Sequence, residues 1–474
     1  MTPASDLPGN SRGWLMRAGE FLDRGYIENA RLALRQADAM APDESGIYRG
    51  LTAGYRAAGL TQEAAVAEMA ALAYEQHSAA MLYNLATSFL MTHRPIVAER
   101  WYRACLRMAP DMVAAHQNLA SIMELDGRRE YARHHRDQAY GRQSMFVDEC
   151  EGAGLTVLIL CSAATGNVPW DWLLPSTCYR RIRWVMEYAT DAQFAALPEF
   201  DCIFNAIGDV DVSAASRAAV QRLLAMTGTG KPLLNPPEAV EQTSREAIAD
   251  ILREIPCVVV PQALRLEQAC RPGELAQHLK AQGMQVPLLL RPPASHGGKG
   301  LALIENEDEL ARASCGVGHH ASAFHDTRSS DGHWRKYRVI FVGGKPYPYH
   351  LAIAERWLVH YRSADMLSQQ WKRDEELRFL NTPAAVLGWG AMQALRRIAR
   401  SVALDFWGID FTVTEGGRLL VFEANPTMLV HLEEFHAELA YRNSFVGRIL
   451  DAFAAQLQTR CAVSLPQRAL RKAG

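Results

Sequence analysis

The 474-residue sequence lacks features that would each point to a particular class of protein. No apolar run approaches the ~20 residues that span a bilayer, which argues against a helical membrane protein. The charges nearly cancel, with 50 Lys and Arg against 52 Asp and Glu. No long tract of either sign stands out, so we expect neither a nucleic acid nor a membrane among its partners.

The cysteines also lack a pattern. Nine are scattered through the chain, and none forms a CxxC pair. An odd, dispersed set in a long chain is typical of buried thiols in a reducing compartment rather than of a disulfide framework. The start of the sequence, MTPASDLPGNSRGW, has no apolar stretch, so we expect no signal peptide and a cytoplasmic protein.

What the first third of the sequence does contain is a repeat. Registers that start at residues 11, 45, 79 and 113 align at intervals of 34 residues. Small residues recur at fixed points of this register, as they must where two helices approach closely. These positions are Ala18, Thr52, Ala86 and Ala120; Ala30, Ala64, Ala98 and Ala132; and Ala37, Ala71, Cys105 and Ala139.

This pattern resembles the tetratricopeptide repeat over residues 11–144, although the second repeat departs from it at Glu68 and Gln76 and the fourth at His116 and Arg136. The resemblance implies an N-terminal α-solenoid. Such arrays commonly bind a peptide or protein segment on a concave face. Formation of a homodimer, or docking of the repeats onto the rest of this chain, is the alternative role, and a plain helical bundle is the alternative structure.

Near residue 150 the pattern changes. Apolar runs at 155–161, 201–207, 233–237 and 257–260 predict strands, and a helical stretch spans 214–226. Strands separated by helical segments indicate a mostly parallel sheet of an α/β domain.

Two motifs in this part of the chain are misleading. Gly228-Thr-Gly-Lys231 resembles part of a P-loop, but Pro232 stands where Ser or Thr is required. The segment His431-Leu-Glu-Glu-Phe-His436 resembles a zinc-protease helix, yet its histidines are five residues apart and cannot share a helix face. We therefore expect neither a P-loop nor a zinc site.

The most informative segment is GIDFTVTEGGRLLVFEANPTM, which spans residues 408–428. Gly416-Gly417 is a favoured two-residue hairpin turn. That turn carries the strand pairing through Thr412–Val421 to Asp410–Glu423, so two carboxylates face each other at ~5 Å. Like charges at this distance repel by on the order of 3 kcal/mol at an effective dielectric of ~20.

A bound cation would remove this repulsion. Asn425 lies on the same face as Glu423, and two carboxylates with one amide oxygen form a set of hard ligands that suits Mg²⁺. Mn²⁺ can take the same ligands. The alternatives are that one carboxylate pairs with an arginine, or that the register differs by one residue.

Four segments, in order, resemble the ATP-grasp superfamily across residues 155–455. Pro232-Leu-Leu-Asn-Pro236 resembles the end of the first subdomain. RPPASHGGKG, at 291–300, resembles a strand followed by the glycine-rich flap over the triphosphate. The segment that begins at Lys336 and ends at Lys345 resembles the basic strand beside the phosphates. GIDF followed by FEANP resembles the magnesium-binding pair.

The resemblance implies an α + α/β multidomain protein in which an ATP-grasp fold follows the repeats. Its pre-ATP-grasp α/β subdomain would span 151–262, and its catalytic domain, which clamps ATP between two α+β subdomains, would span 263–460. It implies ATP and Mg²⁺ as cofactors, with metal ligands Asp410, Glu423 and Asn425. It also implies a set of ATP-binding residues, in which clustered backbone N–H groups hold phosphate: Arg291, Ser295, His296, Gly297, Gly298, Lys299 and Gly300.

The chain also departs from the family pattern. Arg291 stands where a lysine is usual, and arginine keeps the charge but changes the geometry of phosphate binding. Residues 323–326, Ala-Phe-His-Asp, are the nearest match to the adenine hinge but lack its glutamate. The candidate catalytic groups are all basic: Lys336, Arg338 and Arg356.

The resemblance implies a reaction in which a carboxylate attacks the γ-phosphate of ATP and an amine then displaces phosphate from the acyl phosphate. The attached repeats favour a peptide or protein substrate. A kinase of the same fold, which would make a phosphate ester, and a nucleotide-binding scaffold without catalysis remain alternatives. The intact set of Asp410, Glu423 and Asn425 argues against the scaffold.

Overall fold

The computed structural model of the chain describes residues 8–41, 43–210, 214–293 and 300–464. The chain divides into two compact units between Ser144 and Met145. None of the described helices combines the length and the apolar character that a bilayer crossing requires.

The first unit consists, over its described residues, of eight helices that pack in consecutive pairs. The odd-numbered helices begin at residues 11, 45, 79 and 113 and the even-numbered ones at 27, 61, 95 and 129, so both series follow the 34-residue register. Their bounds are α1 Ser11–Asp23, α2 Ile27–Ala39, α3 Ser45–Ala57, α4 Thr61–Glu75, α5 Ala79–Met91, α6 Pro95–Met108, α7 Val113–Leu125 and α8 Arg129–Tyr140.

The small residues of the register explain why these helices pack closely. All twelve positions named above are buried, and the most exposed of them, Thr52, is only 4% exposed. Large apolar side chains such as Leu82 and Met123 fill the space between helices and have no exposed surface. The 34-residue helical periodicity is therefore present, and its assignment to the tetratricopeptide family remains a prediction.

The two departures in the fourth repeat both have partners. His116 is buried, its Nε2 donates to the Pro110 carbonyl at 2.8 Å, and its Nδ1 faces Nδ1 of His135 at 2.8 Å. Burial and the neighbouring His116 lower the pKa of His135 to about 4, so the pair is neutral near neutral pH. Arg136 pairs with Glu124. Polar residues therefore occupy these positions without leaving a buried charge unpaired.

The second unit begins with a five-stranded sheet in the order β1-β3-β2-β4-β5. The strands β2 to β5 are parallel, and β1 is antiparallel to β3. The strands are β1 Met145–Asp148, β2 Thr156–Cys161, β3 Arg180–Val185, β4 Cys202–Asn205 and β5 Leu233–Leu234. The helices of this region are α9 Asp191–Ala195, α10 Arg217–Thr227, α11 Pro237–Glu241 and α12 Arg245–Arg253.

The sequence predicted three of these strands and placed a fourth wrongly. The run at 257–260 does form a short strand, β6 Val258–Val259, but it pairs in parallel with a strand of a different sheet. The chain leaves the first sheet before residue 258 because α11 and α12 follow β5 and carry it away. An extended run alone shows that a strand forms, and does not show which sheet it joins.

Two further sheets complete the unit. The second is four-stranded and antiparallel, in the order β7-β10-β8-β9, with β7 Ala263–Leu266, β8 Leu288–Arg291, β9 Ala302–Ile304 and β10 His319–Ala323. The third has the order β12-β11-β13-β14-β6, with β11 Trp334–Val342, β12 Lys345–Ala354, β13 Phe406–Val413 and β14 Leu419–Asn425. Their helices are α13 Glu274–Ala281, α14 Glu307–Arg312, α15 Gln370–Asn381, α16 Pro383–Leu387, α17 Trp389–Ser401 and α18 Asn443–Ser464.

Asn235 joins the first sheet to the third. Its side-chain oxygen accepts the N–H groups of Asp405 and Phe406, each at 2.9 Å, and its amide donates to the Phe406 carbonyl at 2.9 Å. Its own N–H donates to the Asp405 carboxylate at 2.9 Å. Asn235 is fully buried and has a φ of +51°, which asparagine tolerates better than most residues. This asparagine therefore fixes the start of β13 relative to β5.

We expect Asn235→Ala to lower the free energy of unfolding by roughly 3–5 kcal/mol, because it leaves three buried backbone groups without partners and puts alanine at a positive φ. Equilibrium denaturation monitored by tryptophan fluorescence measures the change. Asn306→Ala is the control, since Asn306 is the exposed cap of α14 and accepts the Glu309 N–H at 2.9 Å. That loss should be about 1 kcal/mol. Equal losses for the two variants would contradict the role given to Asn235.

Candidate active site

A cavity of about 400 Å³ is lined by residues of the second and third sheets and of α12. Its volume lies in the range of small-molecule binding sites. Six cationic and four anionic side chains line it, so its described lining carries an excess of positive charge. The cations are Arg245, Arg265, Arg291, Arg335, Lys336 and Arg338, and the carboxylates are Asp209, Glu246, Asp410 and Glu423.

The cavity also has an extensive apolar lining. It includes Phe324 from the segment that the sequence placed nearest the adenine hinge. An apolar lining together with an excess of cations suits a ligand that has both a flat apolar group and several negative charges. The other apolar contributors include Ile248, Leu252, Val260, Leu289, Trp357, Val359, Leu420 and Phe422.

Strand register places four polar residues in a row across the third sheet. Arg338 on β11 lies opposite Asp410 on β13, and Asp410 lies opposite Glu423 on β14. On the other side of Arg338, His350 on β12 completes the row. The predicted pairing of Asp410 with Glu423 is confirmed.

Asp410 is bound by two cations. Nε and Nη2 of Arg338 donate to its two oxygens at 2.6 and 2.9 Å, and Nζ of Lys336 lies 3.1 Å from Oδ2. The Asp410 side chain is only 2% exposed. Burial alone would raise the pKa of Asp410, but Arg338 and Lys336 outweigh it and hold this pKa well below its usual range. Asp410 is therefore ionised throughout the physiological range.

The two cations also remove the repulsion that the sequence predicted between Asp410 and Glu423. One of the open alternatives, an arginine partner for a carboxylate, is the arrangement observed. A divalent ion bound to Asp410 would lie ~4 Å from the Lys336 ammonium and be repelled by on the order of 8 kcal/mol at an effective dielectric of ~20. The assignment of Asp410 as a metal ligand thus stays a prediction, and in this arrangement Asp410 orients Arg338 and Lys336.

Glu423 and Asn425 form a pair with oxygen atoms suited to Mg²⁺. Asn425 Nδ2 donates to Glu423 Oε1 at 2.7 Å, and the Thr427 hydroxyl donates to Asn425 Oδ1 at 3.0 Å. These bonds fix the amide so that its oxygen retains a second lone pair, while Glu423 retains its other oxygen. No group of three or more His, Cys, Asp or Glu side chains in the described part of the chain is placed to hold a metal ion. A magnesium ion here would therefore need phosphate and water as further ligands, which it commonly takes.

The turn between β13 and β14 differs from the prediction. Thr414 pairs with Arg418 through its N–H at 2.9 Å, which leaves a three-residue loop, Glu415–Gly417, in which Gly417 has a φ of +69°. Thr412 consequently pairs with Leu420 rather than with Val421. A bulge that adds Phe422 to β14 then restores the pairing of Asp410 with Glu423. The longer turn shifts the register by one residue, and the bulge at Phe422 shifts it back by one. The pairing of Asp410 with Glu423 was therefore predicted correctly although the turn was predicted wrongly.

Arg291 ends β8 and lines the cavity, opposite His320 on β10. Burial and the nearby Arg245 lower the pKa of Arg291. Gly300 has a φ of +74°, and a Cβ there would lie 2.8 Å from Cγ of Pro292, so this position requires glycine. The remaining predicted flap residues, Ser295, His296, Gly297, Gly298 and Lys299, lie outside the described residues.

The structure does not bring Arg356 to the cavity. Arg356 is exposed in the segment that follows β12, and its neighbours Trp357 to His360 line the cavity instead. Sequence reasoning also missed Arg335 and Arg265. Arg335 is held by Glu375 at 2.6 Å and by Asp331 at 2.7 Å. The alternation of β11, which predicted Lys336 and Arg338 on one face, gave no signal that Arg335 would reach the same cavity.

No protein family matches the chain, and no curated protein matches it either. Solved structures do match most of its length. A RimK domain ATP-grasp protein from Sphaerobacter thermophilus is 15% identical, with a TM-score of 0.36, over 63% of this chain and 99% of that one. Carboxyaminoimidazole ribonucleotide synthase from Aspergillus clavatus, in complex with ATP, is 11% identical, with a TM-score of 0.39, over 67% and 79%.

A third match is macrocyclase MdnC from Microcystis aeruginosa, bound with precursor peptide MdnA. It is 12% identical, with a TM-score of 0.38, over 63% of this chain and all of that chain (100%). Likenesses at these identities and scores carry no functional argument. The functional argument therefore rests on the residues of this chain.

We expect Asp410→Asn to lower the free energy of unfolding by on the order of 3 kcal/mol, because the partly buried guanidinium of Arg338 would lose its counter-charge. Arg338→Met should also lower the free energy of unfolding, because the buried carboxylate of Asp410 would lose its bidentate partner. The double variant should lose less than the sum of the two single losses, as expected for partners in one ion pair. Chemical denaturation of the four proteins measures this coupling. Glu415→Gln, in the exposed turn, is the control and should change stability by less than about 0.5 kcal/mol. Additive losses would contradict the pairing.

Proposed function

We propose that this chain is an ATP-dependent ligase of the ATP-grasp type, which activates a carboxylate as an acyl phosphate and joins it to an amine. The observation that carries the proposal is the row of Arg338, Asp410 and Glu423 on three adjacent strands, in the wall of a cation-rich cavity. The ordered motifs of the sequence support the same proposal. Such a reaction requires no covalent intermediate on the protein. The protein positions the two substrates and neutralises the charge of the transferred phosphoryl group.

The chemistry of the cavity lining suits ATP, and the cavity volume lies in the range of small-molecule binding sites. The apolar side chains around Phe324 and Val359 provide a surface for the adenine ring. Arg291, Lys336 and Arg338 line the cavity and would face the anionic Mg²⁺–triphosphate. Arg291, which ends β8 and lines the cavity, would contact a phosphate, and Lys299 in the predicted flap would add a second contact.

Glu423 and Asn425 would hold the magnesium ion. The ion would supply charge neutralisation to the phosphate oxygens when bound. Lys336 and Arg338, oriented by Asp410, would face the transferred phosphoryl group and stabilise its charge. The role of Arg356 remains a prediction without structural support.

The proposed reaction has two steps. An oxygen of the substrate carboxylate attacks the γ-phosphorus, and ADP leaves. The nitrogen of the amine then attacks the acyl carbon, phosphate leaves, and the amine loses a proton to give an amide. Neutral His350 is unsuited to accept that proton, because burial and Arg338 hold its pKa well below the usual range.

We further propose that the helical repeats recruit a peptide or protein substrate. The support is the 34-residue helical periodicity of the first unit, since stacked helical repeats present an extended surface for a polypeptide.

Glu423→Gln should abolish turnover of Mg·ATP, with a loss of at least about a hundredfold, because an amide replaces the charged metal ligand. Release of ADP in a coupled assay measures turnover, and circular dichroism checks the fold. Glu415→Gln is the matched control, since it removes a carboxylate from the same hairpin at an exposed position. Turnover of Glu423→Gln within a few-fold of the native protein would remove the hairpin from the active site.

Hydroxylamine separates a ligase from a kinase. With the acid substrate and ATP but no amine, added hydroxylamine should yield a hydroxamate together with ADP, because an acyl phosphate is electrophilic. The product can be identified by mass spectrometry after screening peptides and amino acids as substrates. A product heavier by one phosphoryl group and stable to hydroxylamine would contradict the ligase and favour the kinase.

Removal of the repeats tests their role. A chain that starts at Met145 keeps the whole second unit, including β1. We expect it to retain ATP binding and to lose most of its activity on a polypeptide substrate, because the recruiting surface is absent. Activity on short and long substrates, measured by mass spectrometry against the full chain, checks this. Equal activity on the long substrate would show that the repeats serve another purpose.

A further inference from the structure

Two of the nine cysteines form a pair that the sequence gives no reason to expect. Cys270 and Cys315 lie opposite each other in an isolated antiparallel bridge. The N–H of each donates to the carbonyl of the other at 3.0 Å. Both thiols also donate to one acceptor, the Gln268 carbonyl, at 3.7 and 3.9 Å. Two thiols that contact the same oxygen atom are near neighbours.

The backbone of this bridge already has the spacing of a disulfide. Residues that exchange both hydrogen bonds in an antiparallel pair have Cα atoms ~5.5 Å apart. This value falls at the commonest separation of disulfide-bonded cysteines. Side chains directly opposite in such a pair project from the same face. A bond between the two sulfurs therefore requires side-chain rotation and little movement of the backbone.

The two thiols differ in how easily a reagent can reach them. Cys270 is partly exposed, whereas Cys315 is only 7% exposed. Burial and the neighbouring Cys270 raise the pKa of Cys315. Cys270 is therefore the thiol that an oxidant meets first, and Cys315 is placed to react second.

We propose that Cys270 and Cys315 form a reversible disulfide under oxidising conditions, which makes this pair a redox modification site. The oxidant is a small disulfide such as oxidised glutathione. The Cys270 thiolate attacks it, which releases one glutathione and leaves a mixed disulfide on Cys270. The Cys315 sulfur then attacks the Cys270 sulfur and releases the second glutathione. The protein loses two hydrogens, which the two glutathione molecules carry away.

The bond would tie together the ends of a long segment. Residues 270–315 contain α13, β8, β9 and α14, and β8 ends at Arg291 in the cavity wall. Closing a loop of this length restricts the unfolded chain and so stabilises the folded one. Oxidation is therefore expected to raise the midpoint of thermal unfolding. This inference is independent of the proposed ligase activity.

A second pair of cysteines provides an internal control. Cys202 on β4 and Cys461 on α18 also have adjacent thiols, and their hydrogen bond and burial raise the pKa of Cys202. They are 0% and 2% exposed, so an oxidant cannot reach them in the folded protein. In both pairs the two thiols are close together, but an oxidant can reach a thiol only in the pair of Cys270 and Cys315. Comparing the two pairs therefore separates the effect of thiol proximity from the effect of access by the oxidant.

Peptide mapping of the full chain tests the proposal. The protein is treated with oxidised glutathione, remaining thiols are alkylated, and the chain is digested with trypsin without reduction. We expect a linked product of residues 266–280, which contain Cys270, and 313–328, which contain Cys315. It should be at least about tenfold more abundant than any product that links Cys202 to Cys461, and dithiothreitol should remove it. A native protein that carries glutathione on Cys270 without the linked product would overturn the proposal.

Single substitutions test the order of the steps. Cys315→Ala should trap the mixed disulfide, so that residues 266–280 gain the mass of one glutathione and keep it. Cys270→Ala should leave Cys315 unmodified, because no accessible partner remains. The oxidised native chain should also melt at a higher temperature than oxidised Cys315→Ala, measured relative to each reduced protein. Glutathione on Cys315 in the Cys270→Ala protein, or equal changes in melting, would overturn the assigned roles.

Discussion

Asp410 is a carboxylate with almost no access to water, and the organisation of the third sheet depends on the two cations that neutralise it. Arg338 and Lys336 come from the neighbouring strand, so the ion pair fixes the register of β11 against β13 as well as the charge of the cavity wall. Without them a buried carboxylate would be strongly unfavourable. The same contacts fix the orientation of the two cations, which the proposed phosphoryl transfer would use.

The first sheet supports this wall from its edge. Asn235 fixes the start of β13 at Phe406, four residues before Asp410. Gly208, just after β4, provides a second contact, because the absence of a side chain lets Thr427 pack against its backbone. A Cβ at this position would lie 2.7 Å from the Thr427 side chain. Thr427 in turn donates to Asn425. Parallel strands that end near β13 and β14 thus position both the ion pair and the candidate metal ligands.

Six of the residues that the sequence assigned to the site line one cavity, and their functions stay predictions: Arg291, Lys336, Arg338, Asp410, Glu423 and Asn425. Counting back from a two-residue turn at Gly416-Gly417 brought Asp410 opposite Glu423, but only because the longer turn and the bulge at Phe422 shift the register in opposite directions. The local pattern revealed neither shift, since a bulge depends on contacts across the sheet. Strand β3 was missed because three of its six residues are arginines, and the structure accommodates Arg181 and Arg183 through Asp148, 33 and 35 positions earlier. Local sequence does not predict such long-range pairs, and the pair of Cys270 with Cys315 is another example.

The central claim is that the cavity beside Asp410 takes ATP together with magnesium. Isothermal titration of the full chain with a non-hydrolysable ATP analogue, in excess Mg²⁺ and then in a chelator, tests it most directly. The account predicts one nucleotide per chain and a loss of affinity of at least about tenfold without the metal, since the nucleotide would lose its shared ligand at Glu423 and Asn425. No binding, or equal affinity with and without Mg²⁺, would contradict it.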